Sequence, residues 1–371
     1  GKIYSTPPTK EITKIMLDDT GGILEKDTEH NLDKIYSLQN IDKAIELWEV
    51  FPYHKQVNIT DNLSFIFRDT GHILGSMMIE FTYNGKKIVF TGDLGNSPSP
   101  ILPNTEDLKD IDYLIMESVY GDRNHETRNE RRERLEEVIE DNVKRKGVLM
   151  IPTFSLERSQ ELLFEINSLM ENNRIPLVSF YFDSPLAIRL TEVYQRYKDY
   201  FNETAKKLIE SGDDIFKFSG LKSTLQSDQS KLILSAPKPK IIIAGSGMSS
   251  GGRITHHEKN YLPDPNNILL LTGYQSFGTL GRKILDGAKK VYIYGEEVPV
   301  RAKIVVIDGY SGHKDSDGLV NFVQNIANSV KKVFVVMGEP RSSLFLAQKL
   351  KDGLGIDAYP PEAGEVVELE C

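Results

Sequence analysis

The chain has 371 residues, 39% of them hydrophobic and 27% charged, with a formal net charge of −9 at pH 7. That length supports two or three domains with full cores, and the acidic balance argues against a generally basic nucleic-acid coat while leaving room for a local basic groove. The single cysteine, Cys371, excludes a disulfide framework and a Cys-based zinc site and fits a reducing, cytoplasmic compartment. No apolar run approaches the ~20 residues of a membrane span, and residues 1–19 are polar and contain prolines, unlike a signal peptide.

Residues 1–20 predict a short strand, then Thr6-Pro7-Pro8, then a helix capped by Thr9 with Ile12, Ile15 and Met16 on one face. Residues 21–60 predict mostly polar helix, with apolar spacing at Ile41, Ala44, Ile45 and Trp48. Residues 62–70 alternate as a strand and place Ser64, Ile66 and Arg68 on one side. The stretch that organises the chain follows: residues 69–95, DTGHILGSMMIEFTYNGKKIVFTGDLG. Asn84-Gly85 joins two strand-like runs, because it supplies the positive φ values of a two-residue hairpin turn. His72 precedes this hairpin and Asp93 follows it, so an imidazole and a carboxylate can reach one point, the nucleus of a metal site. Two polar loop residues without a joint role fit the spacing as well.

Residues 111–117, IDYLIME, predict a buried strand ending in Glu117. A carboxylate there lies where α/β proteins place ligands, or it caps the next loop. The Arg/Glu-rich stretch 120–146 predicts a loop and then a helix with a solvated face rather than an RNA patch. From Gly147 strands and helices alternate, with one helix begun by Ser155, another carrying Pro185 in its first turn, and a looser polar segment at 209–239. Such alternation means a parallel sheet, so residues 123–285 read as a second α/β unit placed inside the first. In KIIIAGSGMSSGGRITHH the Gly/Ser loop can hold phosphate oxygens with help from Arg253, or serve as a plain connector. His256 and His257 are expected on the surface. The last part predicts strands over 291–308, a loop holding His313, a helix to Asn328, a strand at 332–337, a helix after MGEP, and a closing strand GEVVELE.

Ten blocks occur in order: IYSTPPT, GHILGS, FTGDLG, ESVYGDR, DSPLA, AGSGMSSGGR, GYQSFGTLGR, EEVPVRA, SGHKD and VMGE. In these the chain resembles the β-CASP nuclease branch of the metallo-β-lactamase superfamily, which includes the nuclease subunit of the eukaryotic pre-mRNA cleavage machinery and its bacterial and archaeal relatives. The resemblance implies an α/β fold: a metallo-β-lactamase αββα sandwich, here without its N-terminal portion, interrupted by an inserted α/β β-CASP domain with a parallel sheet. The expected division is 1–122 and 286–371 for the former and 123–285 for the latter. The implied function is a zinc-dependent RNA phosphodiester hydrolase of RNA processing or degradation, with RNA as partner and no membrane. His72 matches a zinc ligand, Asp93 the carboxylate bridging two zinc ions, Glu117 the acidic residue opening the β-CASP portion, and His313 the general acid. Gly247, Ser249, Ser250, Gly251 and Arg253 fall where the family lines its RNA groove. Homodimers, or heterodimers with another β-CASP subunit, stay open.

Two departures accompany the matches. The family's H-x-H-x-D-H motif is absent from these 371 residues, and Met337 stands where RNA-cleaving members carry a zinc-binding His. A neutral thioether is a poor zinc ligand beside oxygen and nitrogen donors. The expectation is therefore an incomplete metal site, no dinuclear zinc and an inactive polypeptide as it stands. A non-catalytic RNA-binding or scaffolding paralogue is the alternative, and a hydrolase of DNA or a small phosphoester is a third.

Overall fold

Asn84 and Gly85 adopt φ values of 48° and 79°, the left-handed pair that a two-residue turn requires. They fold Met77–Tyr83 back on Lys86–Phe90, with Tyr83 opposite Lys86. The hairpin is thus formed as the Asn-Gly signal predicts. The computed structural model describes residues 1–24 and 36–370, so the part of the expected helical stretch at 25–35 lies outside the described residues. The chain divides into two units: Gly1–Asn124 with Tyr200–Asn202 and Gly312–Cys371, and His125–Asp199 with Glu203–Ser311.

In the first unit the hairpin is the middle of a seven-stranded mixed sheet. Its spatial order is Ala358–Tyr359, Lys332–Val336, Tyr113–Glu117, Lys86–Phe90, Met77–Tyr83, Leu63–Asp69 and Val57–Asn58. The first four run parallel and the others antiparallel. Met78, Val89, Leu114, Met116, Val333 and Val335 alternate onto one face. They pack against Leu319 and Phe322 of helix Ser316–Gln324 and Leu346 and Leu350 of helix Pro340–Leu354. Each such side chain is worth roughly 1.5–3 kcal/mol when fully buried. A slip of one residue would turn the whole set outward, so the register is tightly held. That register puts Glu117 opposite Val336.

The second unit has a six-stranded, wholly parallel sheet in the order Leu221–Ser223, Ser179–Phe182, Lys240–Ala244, Val148–Pro152, Ile268–Leu271 and Lys303–Val306. Three of its strands are buried at every residue, as a parallel sheet covered on both faces demands. The expected strand–helix alternation is therefore observed. Among the described residues no helix is long and apolar enough to cross a membrane.

Several local expectations differ from the structure. The first helix spans Pro7–Leu24, starting before Thr9. Proline is well placed in a first turn, and the Thr6 and Thr9 hydroxyls both donate to Gly75 O. Trp48 belongs to strand Trp48–Val50, which pairs with Ile3–Ser5. The helix expected from Ser155 begins at Arg158. The segment 209–239 contains strand Leu221–Ser223 and helix Ser227–Ser235; so short a strand is set by its pairing, which no local pattern announces. GEVVELE forms no strand. Its Val367 and Leu369 line an apolar cleft of about 660 Å³ with Ile88, Ile115, Phe334 and Val336, so this segment covers a sheet face instead of pairing at an edge. The Arg/Glu-rich helix Arg128–Arg145 is not a wholly solvated face. Arg131 is 4% exposed, and it donates to Glu165 Oε1 at 2.7 Å and to Gly309 O at 2.8 Å. A buried guanidinium is tolerable only when so paired.

Candidate metal centre

The first unit's site starts from a contact between two glycines. A Cβ on Gly95 would lie 2.1 Å from Gly71 O and 2.7 Å from His72 N. Only glycine lets the DTGH and TGDLG loops approach so closely. Gly95 N donates to Thr70 O at 2.9 Å. A third loop joins them: Gly95 forms an isolated antiparallel bridge with His313, Asn96 N donates to Gly312 O, and Lys314 N to Leu94 O, both at 2.8 Å. The Lys314 ammonium reaches Gly95 O at 3.0 Å and Ser97 Oγ at 3.2 Å; burial pushes its pKa down to about 8.

These loops bring together the four side chains singled out in the sequence. His72 Nδ1 lies 3.0 Å from Gly312 O. A carbonyl only accepts, so Nδ1 carries the proton and Nε2 keeps its lone pair. His72 Nε2 is 3.6 Å from Asp93 Oδ2, and the His72 and His313 ring centroids are 4.6 Å apart. Burial first, and then His313, push the His72 imidazole below its ordinary pKa, which favours the neutral, ligand-competent form. Glu117 is fully buried. Its Oε1 accepts from Leu94 N at 2.5 Å, and each of its oxygens is 3.1 Å from His313 Nδ1. One donor atom each from His72, Asp93 and His313 lies within 4.8 Å of the other two. Nitrogen and oxygen donors so grouped suit a divalent metal ion. Both imidazoles are steered through their second nitrogen by a carbonyl or a carboxylate, as metal-binding histidines usually are. Met337 follows the Glu117–Val336 rung directly; it is 62% exposed, at φ 62°.

In the second unit the Gly/Ser loop is tightly tied. Gly247 abuts the Phe154 ring, where a Cβ would fall 2.8 Å from Cδ2. Ser249 is buried, and its Oγ donates to Glu258 Oε1; burial pushes the Glu258 carboxyl up to about 8. Ser250 is exposed, and Gly251 is the N-cap of helix Gly252–Tyr261. Arg253 is engaged within the unit: it donates to Asp183 Oδ1 at 2.7 Å and to Thr224 O and Leu225 O at 2.8 Å. Asp183 also accepts from His257 Nε2, Ser230 Oγ and Thr224 Oγ1. Burial pulls the Asp183 carboxyl upward, but these hydrogen bonds outweigh it and hold the group well below the usual carboxylate range. His257 is fully buried, contrary to the expected surface position. The overlooked signal was helical spacing, since Ile254, His257 and Tyr261 share one face at i, i+3 and i+7.

The Beta-Casp domain family matches residues 159–284, and the family described as a Zn-dependent metallo-hydrolase RNA specificity domain matches 297–361. An RNase J-like protein of Methanocaldococcus jannaschii is 35% identical over 99% of this chain and 83% of its own length. Ribonuclease TTHA0252 of Thermus thermophilus is 33% identical over 94% of this chain and 78% of its own. The chain belongs to the β-CASP branch of the metallo-β-lactamase superfamily. Transcription termination factor FttA of Pyrococcus horikoshii is 30% identical over all of this chain, which spans 58% of that relative. A crystal structure of an Enterococcus faecalis V583 protein of unknown function shares the fold alone, with a TM-score of 0.54 and 12% identity over 98% of this chain and 75% of that one. The α/β architecture of this β-CASP member is thus the metallo-β-lactamase fold with an inserted β-CASP domain.

Proposed function

We propose that this β-CASP chain carries the phosphodiester-cleaving chemistry of a zinc-dependent ribonuclease. The observation that carries this reading is the convergence of His72, Asp93, Glu117 and His313 on one site in the first unit. His72 and Asp93 are the metal-holding residues, and, within the second unit, the loop 245–252 with Arg253 is the segment that contacts RNA. Zinc at His72 and Asp93 would supply Lewis acidity, activating water at neutral pH and drawing charge from the phosphate. The chain's own residues do the rest. In the doubly protonated imidazolium of His313, Glu117 holds the Nδ1 proton and Nε2 carries the second, which it can hand to the leaving oxygen. Leu94 N and Val119 N, both directed at the Glu117 carboxylate, hold that carboxylate still. With His313 kept as the acid, His72 and Asp93 are fewer donors than zinc takes from a protein, so the 371 residues alone should bind zinc weakly and cleave slowly.

The test is zinc content and cleavage of single-stranded RNA and DNA of one sequence, for the parent and for His72→Ala and Asp93→Asn. RNA cleavage that falls together with zinc in both variants supports the reading. A zinc content that neither variant lowers sinks it. Met337 favours a second reading, an RNA-binding partner that does not cut; RNA binding without cleavage at saturating zinc would select it.

A further inference from the structure

Phe277 is 91% exposed, yet it does not sit on a loose loop. It tops the segment 273–281, which follows the carboxyl end of strand Ile268–Leu271. Gly273 and Gly278 flank it at φ 145° and 86°. Two clamps fix the segment to the Gly/Ser loop. The Gln275 side chain, 2% exposed, donates to Gly247 O at 3.1 Å and to Gly273 O at 3.2 Å. Gly281 N donates to Met248 O at 3.1 Å, and a Cβ at Gly281 would collide with Gln275 Oε1. Gly247 also abuts Phe154, which is 44% exposed and lies two residues after strand Val148–Pro152. Two exposed aromatic residues therefore belong to segments that both meet Gly247 of one Gly/Ser loop, Phe154 directly and Phe277 through its neighbour Gln275. Scattered exposed apolar residues are ordinary. A phenyl ring 91% exposed on a segment tied down by a buried glutamine and a backbone hydrogen bond is a different case, since the ring adds almost no buried area to the fold.

We infer that Phe277, with Phe154 at the same Gly/Ser loop, is a stacking platform for unpaired nucleobases of single-stranded RNA. Stacking suits this position because every base presents a π face, so the platform holds RNA without reading its sequence. The inference rests on the ribonuclease reading above and adds the side chains that would hold bases.

The experiment is fluorescence anisotropy of a labelled 12-nucleotide RNA, and of an abasic oligonucleotide of the same length, titrated with the whole chain. The proteins are the parent, Phe277→Ala, Phe277→Leu and Phe277→Trp, at two salt concentrations. Loss of one stacked base should weaken RNA binding about 5- to 150-fold in the alanine variant, the equivalent of ~1–3 kcal/mol. Leucine, apolar but without a π face, should weaken it as well, and tryptophan should restore it. The salt dependence should stay unchanged, because no phosphate contact is removed. The abasic strand should bind parent and alanine variant alike. Parent binding with equal affinity for all four proteins overturns the platform and leaves the ribonuclease reading standing. No parent binding to RNA overturns both. A sedimentation-measured change in oligomeric state in Phe277→Ala at unchanged RNA affinity assigns the ring to a protein contact and overturns the platform.

Discussion

Glu117 and His313, 196 positions apart, meet with both carboxylate oxygens 3.1 Å from Nδ1. The carboxylate is fully buried and the imidazole is a quarter exposed, so the carboxylate orients a ring that lies beside His72. Glu117→Gln keeps the shape and removes the charge. In a zinc-loaded, cleaving form it should lower kcat for RNA by about 10²- to 10⁴-fold, the usual worth of a positioned proton donor, with KM nearly unchanged. His313→Ala should do the same while zinc content stays within error. Zinc lost in His313→Ala would move His313 from proton donor to ligand.

Gly95→Ala tests the backbone contact beneath the site. The added methyl meets Gly71 O and His72 N, so the two loops must separate. Overpacking of this kind costs about 1–3 kcal/mol. The expected outcome is zinc affinity lowered at least about tenfold, with no ligand altered. Gly353→Ala, in helix Pro340–Leu354 where no atom lies within 4 Å of the new Cβ, is the control for glycine loss without collision, and it should leave zinc affinity intact. Equal zinc affinity in Gly95→Ala and the parent would show that the glycine contact does not position the ligands.

Glu258 makes a pH prediction. Its folded pKa, pushed up by burial to about 8, exceeds the ordinary 4.5, and its Oε2 has no hydrogen-bond partner among the described residues. Below about 4.5 the group is protonated in both states and costs nothing. Between about 4.5 and 8 the unfolded chain releases a proton that the folded chain keeps, so stability falls as pH rises; above 8 the loss is complete. The loss is on the order of a few kcal/mol. Urea unfolding from pH 4.5 to 8 should show this decline in the parent and a flatter profile in Glu258→Gln. Parallel profiles would mean that Glu258 is ionised in the folded protein.

Much of the scaffold was legible in the chain itself. The Asn84-Gly85 turn, the alternation of strand Leu63–Asp69 and the apolar strands of the parallel sheet follow from φ requirements and side-chain periodicity. Both are properties of a few neighbouring residues. The ten ordered blocks carried the β-CASP resemblance, and the relatives bear it out. The readings that failed were those depending on distant partners. His257 looked like a surface histidine until the fold set it on Asp183, 74 positions earlier. Strand Leu221–Ser223 exists because Ser179–Phe182 pairs with it. Arg131 left the solvated face because Glu165 and Gly309 O meet it from other elements.

By itself the sequence determined which residue types were available and which short segments would turn, extend or coil. The tertiary structure decided their convergence. His72, Asp93, Glu117 and His313 meet because core packing sets the register of strand Tyr113–Glu117 and because two glycines let their loops touch. A register and a sub-van-der-Waals allowance between Gly71 and Gly95 are relations between segments far apart in the chain, and no local pattern of residues encodes them.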